Sequence, residues 1–282
     1  MVSGLLSTCL YSTVALAYFL IIRATRLVNF AIGGYAVFAG LLLANVVTSG
    51  WPLLVAIPVA LIAVALLAFL TDRLVVNVME RRESRPVTIE IAIVALLFVL
   101  EQAAGLLFGR QPTLGKPWVG GSWKVGDAVV AWQSVFTMVA TVMLFALVAS
   151  WLKRGRYGRM LRAVGDNPGA AQVLGLPIGT VRAVAWGMAG LVAGVAGLLA
   201  SAQASLSIES GTTFTLLGFV ALVLGGSANA WAPLVGGLVL GLIEAFSIRL
   251  VGNDVRDYVF LALVLIVFTF RPRGIFAVKE RT

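Results

Sequence analysis

The sequence predicts an all-α integral membrane protein: a polytopic bundle of 8–9 transmembrane helices, with discontinuous helices near 28–35 and 214–233. Three observations carry this. Hydrophobic residues make up 60% of the chain and charged residues 12%, where a soluble domain carries about 25% charged residues. The mean hydropathy is +1.02. Apolar runs of about 20 residues, enough for a helix to cross the hydrocarbon core, recur along the whole length. Nearly all of the chain is needed for crossing, so residues 1–282 form a single transmembrane domain with no soluble appendage.

The first run, 4–22, lacks a basic segment before it and a small-residue cleavage pattern after it, so it is expected to be a retained span. Further spans follow at 28–47, 52–71, 88–108, 134–152, 183–202, 233–248 and 257–270. The run 214–230 is short and interrupted by glycine, either a thin span or a broken one. Basic residues decide the orientation. Sixteen of the 21 Lys and Arg residues lie in segments 23–27, 72–87, 153–182 and 271–282, and the alternate segments 109–133 and 249–256 hold the rest. The richer set faces the cytoplasm. The N-terminus is then outside and the C-terminus inside, which requires an odd number of crossings and favours counting 214–230 as one. The net charge of +9 is orientation charge at membrane edges and no sign of nucleic-acid binding.

Small residues recur at helix-packing intervals: Gly190 with Gly194, Ala193 with Gly197, and Gly237 with Gly241. Lipid tails are as apolar as leucine, so helices associate through the close backbone approach that small residues permit. Two stretches look like helix interruptions. One holds Asn29, Gly33 and Gly34; the other holds Gly225, Gly226, Ser227, Asn229 and Pro233. Backbone groups freed by a break must face protein or a water-filled cavity, and paired breaks in two halves of a transporter point to its path. Two ordinary turns between spans would look the same.

Three carboxylates fall within spans. Glu90 lies near the cytoplasmic edge and is expected to be solvated; Glu101 and Glu244 lie deeper. A mid-helix acid costs roughly 2.5–3.5 kcal/mol on insertion scales, so each needs a partner or a role. An interhelical bond and a substrate or gating role both stand open for each.

Cys9 is the only cysteine and histidine is absent, so an intrachain disulfide, a zinc centre and a histidine proton shuttle are not expected. The phosphate loop, zinc-protease and serine-elbow motifs are missing, so energy for active transport would come from another subunit or an ion gradient. The basic loop 153–182 carries six of the basic residues and a helix-prone centre, yet no run able to cross.

RLVNFAIGGY at 26–35, RPVTIEIAIVALLFVLEQ at 85–102, GRMLRAVGDNPGAAQVLGLP at 158–177, GFVALVLGGSANAWAPLVGGLVLGLIEA at 218–245 and RPRGIF at 271–276 occur in an order that resembles the permease subunits of branched-chain amino-acid ABC importers. The resemblance covers nearly the whole chain. It implies a permease in the bacterial inner membrane that is no enzyme itself. It also implies a second permease subunit (homo- or heterodimer), two cytoplasmic ATPase subunits that hold ATP and Mg, and an extracytoplasmic substrate-binding protein. In such permeases the segment matching 158–177 forms a short cytoplasmic helix coupled to the ATPase. This places Gly158, Arg159, Arg162, Ala163, Asp166, Asn167, Ala170, Ala171 and Gly175 at that contact. Asp166 or Asn167 is expected to cap a helix over 168–174, with Pro168 first and Gly175 just beyond its end. Asn29, Gly33, Gly34, Glu101, Gly225, Gly226, Ser227 and Glu244 are the expected path residues. The chain departs from the family pattern where a histidine and an acid are common, carrying Ile32 and Gly34 instead. The path is then less polar, and the cargo stays open between branched-chain amino acids and another small amphiphile. An autonomous secondary transporter or channel working through Glu101 or Glu244 is the competing class. An intramembrane enzyme is the third, and it lacks catalytic groups.

Overall fold

In a computed structural model, residues 2–125, 128–252, 262 and 265 are described. Most of the expected span 257–270, and the tail 271–282, lie outside the described residues. The order is α1 (Val2–Thr25), α2 (Ile32–Thr48), α3 (Leu53–Thr71), a π-helical turn (Asp72–Val76), α4 (Asn77–Arg81), α5 (Pro86–Phe108), a hairpin of β1 (Ser122–Val125) and β2 (Ala128–Ala131), α6 (Trp132–Arg154), α7 (Arg156–Asp166), α8 (Pro168–Val173), α9 (Ile178–Ser201), α10 (Ser210–Gly225) and α11 (Ala232–Val251). Five helical segments are long and apolar enough to cross a bilayer: Gly4–Thr25, Leu53–Arg81, Pro86–Phe108, Trp132–Arg154 and Ile178–Ser201. Three shorter apolar helices, Ile32–Thr48, Ser210–Gly225 and Ala232–Ser247, accompany them.

Burial sorts these helices into two layers. In α1 and α9, 72% of the most apolar window is buried, against 22% in the α3 segment and 33% in α5 and α6. A helix apolar on every side belongs inside a bundle or against lipid, and here both solutions occur. α1 and α9 form the centre with α2, α10 and α11 against them, while α3, α5 and α6 turn residues such as Leu54, Ile62, Ile91, Phe98 and Met143 outward.

The small-residue pairs pack the central layer. Gly190 and Gly194 of α9 lie against Val64, Ala68 and Leu61 of α3, and Gly197 lies against the Ala36 carbonyl of α2. Gly237 and Gly241 of α11 meet Ser12 and Thr8 of α1. At Gly197 a Cβ would overlap backbone, so the close approach itself requires glycine.

The two corners between helices are built alike. Arg26 takes φ +58° and ends α1; the Asn29 Oδ1 then accepts the Ala31 N–H at 2.9 Å. At the α10–α11 corner the Asn229 Oδ1 accepts the N–H groups of Trp231 and Ala232 at 2.8 and 3.1 Å. In each, the Asn side chain accepts a backbone N–H two residues on, an Asx turn that tightens the corner before the helix begins. The second interruption is narrower than the sequence suggests. α10 is continuous from Ser210 to Gly225, and only 226–231 breaks the helix, because the glycine pair and Asn229 sit at its end. Glu90 is not simply solvated, since its Oε1 accepts the Val28 N–H at 3.2 Å and holds the α1–α2 corner against α5.

At the other face, Thr113 and Leu206 exchange backbone hydrogen bonds of 2.9 Å, and Gly115 N–H donates to the Ser201 carbonyl at 3.0 Å. The hairpin pairs Ser122 with Ala131 through Val125 with Ala128, and Trp123 stacks on Trp132 with centroids 6.2 Å apart.

Candidate functional site

The expected path residues do not converge on one place. Gly33, Gly34 and Glu101 gather around the N-terminal turns of α10, while Asn29 stays in the α1–α2 corner with its Oδ1 on the Ala31 N–H. Gly33 fits against the Gly211 carbonyl and Thr215, while Gly34 fits against Leu97 and Leu100. The Thr215 hydroxyl donates to the Phe30 carbonyl at 2.9 Å and accepts the Gly33 N–H at 3.1 Å. The Tyr18 hydroxyl donates to the Thr215 carbonyl at 3.1 Å. Glu101 of α5 completes the knot: its Oε1 accepts the N–H and the hydroxyl of Thr212, both at 2.8 Å. Thr212 is the third residue of α10, so its N–H is one of those a helix start leaves without a partner. A buried carboxylate at the positive end of a helix is favourably placed. Of the two readings left open for Glu101, this geometry supplies the interhelical bond.

Gly225, Gly226 and Ser227 lie at the C-terminal end of α10, about 15–21 Å from Thr215 and Gly211 at 1.5 Å per residue. Gly225 packs on the Ala232 carbonyl, Gly226 has φ +75°, and Ser227 is exposed. Glu244 belongs to neither group. It is buried on α11 one turn beyond Gly241, level with the Gly4–Thr8 start of α1.

The basic loop folds as two short helices. The Asn167 Oδ1 accepts the Ala170 N–H at 3.0 Å, Pro168 occupies the first helical position of α8, and Gly175 follows with φ +71°. Leu176 N–H donates to the Ala171 carbonyl and Gly175 N–H to the Gln172 carbonyl, both at 3.0 Å. These two bonds form a Schellman termination, which needs a left-handed residue where Gly175 stands. α8 thus spans 168–173, one residue short of the expected helix.

The residues expected at a partner contact divide by exposure. Arg159, Arg162, Ala163, Asp166, Asn167, Ala170 and Gly175 are exposed. Gly158 and Ala171 are buried, Gly158 tight against the Trp151 carbonyl and Leu152, so both shape the loop from inside. Arg159 and Arg162 donate to the carbonyls of Arg154 and Lys153, and Asp166 pairs with Arg23 of α1 at 3.5 Å. Two residues that sequence reasoning does not single out stand out at the tip: Val173 is 89% and Leu174 78% exposed. The sequence does hold a signal for them, as two large apolar residues close a capped helix in an otherwise polar loop.

A second omission lies beneath the loop. Arg182, which in sequence is one more loop charge, is buried in the first turns of α9 with its Nε 2.7 Å from the Asp72 Oδ1 in the π-helical turn. Its guanidinium also contacts the Glu80 carboxylate. Asp72 is fully buried and Glu80 39% exposed, so the first pair is the desolvated one. The neighbouring Thr71 hydroxyl accepts from the Tyr35 hydroxyl of α2 at 2.9 Å. A continuous polar line therefore runs from α9, just after the loop, through the end of α3 to α2.

An α-helical architecture with several helices able to cross a bilayer and a structured polar loop on one face is that of a multi-pass integral membrane protein. The chain belongs to the family described as the branched-chain amino acid transport system permease component, whose profile matches residues 1–269. It is 26% identical over 296 residues to the high-affinity branched-chain amino acid transport system permease protein BraD of Pseudomonas aeruginosa, covering 99% of this chain and 95% of the relative. It is also 26% identical over 295 residues to LivH of Escherichia coli K12, with the same coverage. A shorter likeness, 30% over 112 residues, reaches the E. coli ribose import permease protein RbsC and covers 36% of this chain and 35% of the relative. Among solved structures, PsaBC from Streptococcus pneumoniae, in complex with Fab, superposes with a TM-score of 0.52. It covers 97% of this chain and 92% of that one at 14% identity, a likeness of fold alone.

Proposed function

We propose that this chain is the translocating subunit of an ATP-binding-cassette importer in the bacterial inner membrane. It carries a small solute, in the first place a branched-chain or other amino acid, delivered by an extracytoplasmic binding protein. It acts with a second permease subunit and two ATPase subunits, which hold the ATP and Mg; this chain binds no cofactor of its own. It crosses 8–9 times, the odd count favoured by an N-terminus outside and a C-terminus in the cytoplasm. The family membership and the names of the full-length relatives support the cargo class.

The observation that carries the coupling role is the tip of α8. Val173 and Leu174 expose large apolar side chains outside any span, on a helix held at both ends by a side-chain cap and a Schellman turn. Such a rigid, small, apolar-tipped helix suits a groove on a partner, and the exposed Arg159 and Arg162 beside it suit acidic groups. Movement of this element reaches the bundle through Arg182, which ties α9 to the π-helical turn, and through Tyr35 to α2. Glu101 then serves the path by fixing the α10 start beside Gly33 and Gly34. Its engagement by Thr212 counts against a secondary transporter that loads a proton or ion there.

The test is co-purification. A Val173→Ser/Leu174→Ser chain inserts normally and retains less than a tenth of the ATPase bound by the unaltered chain. Undiminished ATPase recovery would remove the coupling role, and gradient-driven uptake by the purified chain alone in liposomes would remove the importer reading.

A further inference from the structure

A pocket of about 460 Å³ opens where the inner ends of α1, α6 and α7 meet the 226–231 corner. Its volume falls in the roughly 300–1,000 Å³ range of ligand sites. Arg23 of α1, Lys153 of α6 and Arg162 of α7 line it, each from a different helix. Among the described residues one carboxylate answers them, Asp166, at 3.5 Å from Arg23 and itself mostly in solvent. Among the described residues Lys153 has no ion-pair partner. Apolar side chains, Phe19, Leu152 and Trp231, line it between the cations; the Arg23 guanidinium lies over the Phe19 ring at 6.0 Å, and the Trp231 ring stacks on Phe145 of α6 at 5.9 Å.

The outer face of α6 says what fits there. Val139 and Val142 are 55% and 52% exposed, and the exposed Ala146 and Ser150 continue that face to Lys153. Positions three and four apart share a side of a helix, so an apolar stripe descends through the membrane and ends at the cation. A tryptophan at that level matches the headgroup zone, where its ring is apolar and its N–H is wet. A soluble anion would use the cations and leave the stripe idle, and a peptide would have no use for a surface that runs up into hydrocarbon. We propose that the pocket binds the phosphate headgroup of an anionic phospholipid of the cytoplasmic leaflet, with its acyl chains along Val139, Val142 and Ala146. The lipid would brace the 226–231 corner against α6 and α7. The inference rests on the orientation proposed above; because Arg162 is also assigned to the ATPase contact, the test substitutes Arg23 and Lys153 and reads bound lipid in the chain without ATPase.

The experiment incorporates the full-length chain into vesicles of equal phosphatidylglycerol and phosphatidylcholine, purifies it in mild detergent and counts retained lipid by native mass spectrometry. The unaltered chain retains one phosphatidylglycerol per chain in preference to phosphatidylcholine. Arg23→Gln/Lys153→Gln lowers that preference roughly thirtyfold, at the usual worth of two basic residues near a charged bilayer. Lys153→Gln alone, exposed and harmless to folding, lowers it roughly fivefold. Arg82→Gln/Arg85→Gln, at another basic edge of the same face, leaves it unchanged. Equal retention of the two lipids by the unaltered chain would overturn the proposal. So would an equal loss in the Arg82/Arg85 pair, which would reduce the effect to general surface charge. Release of the lipid on adding the ATPase subunit would also overturn it by identifying a protein occupant.

Discussion

Replacing Arg182 with glutamine should be among the most damaging polar substitutions in the chain. The change leaves Asp72, which is fully buried, without the guanidinium 2.7 Å from its Oδ1. Removing one partner of a buried ion pair costs about 3–5 kcal/mol, because the remaining charge stays desolvated. Glu80 adds little, since it is 39% exposed and exposed pairs are worth about 0–1 kcal/mol. On the scaling of soluble domains, about 2–4 °C per kcal/mol, the Tm falls by roughly 6–20 °C. Trp186 lies one turn further along α9, is completely buried and reports locally through its fluorescence; melts are compared at one scan rate in one detergent. The decisive arm is the double change Asp72→Leu/Arg182→Met, since exchanging a buried pair for apolar residues of similar size is often neutral. It should recover most of the lost Tm while uncoupling ATP hydrolysis from uptake. A shift under about 2 °C for Arg182→Gln, or a double variant no more stable than the single, would refute the reasoning.

Two further substitutions separate structure from transport. Glu101→Ala strands the Thr212 N–H and hydroxyl and should cost about 1–3 kcal/mol, while Glu101→Gln keeps an acceptor and should retain both Tm and uptake. Loss of uptake in Glu101→Gln at unchanged Tm would give the charge itself a transport role. Gly226 has φ +75° with ψ 180°, a region essentially reserved for glycine, so Gly226→Ala should lower the Tm through strain of about 1–3 kcal/mol. Unchanged melting of Gly226→Ala would show that the corner relaxes freely.

Much of the basic-loop helix α8 is legible in the amino-acid sequence. Asn167, Pro168 and Gly175 are local signals, since a cap, a first-turn proline and a left-handed terminator act within a few residues of themselves. The glycine pairs are legible for a similar reason: spacing along one helix identifies a face that will be approached closely, though not by which neighbour. Gly158 and Ala171 show the limit. They are small residues in a polar loop, and only packing against Trp151 and the adjoining helices reveals that they point inward.

Apolar run lengths, composition and the distribution of Lys and Arg determined a multi-pass helical membrane protein, because hydrocarbon admits few alternatives for the backbone. Local chemistry likewise determined the helix limits around 167–175. Tertiary structure alone decided the pairings across sequence: Glu101 with Thr212, Arg182 with Asp72, and Gly33 beneath Thr215. It also separated the two glycine-rich breaks: the first packs along α10 at 211–219, and the second follows its C-terminal end at Gly225. The physical reason is the range of the interactions. Caps and hydropathy act along the chain or against a uniform solvent, whereas a buried charge is satisfied by whichever helix the packing brings within hydrogen-bond distance, and nothing in its immediate neighbours names that helix.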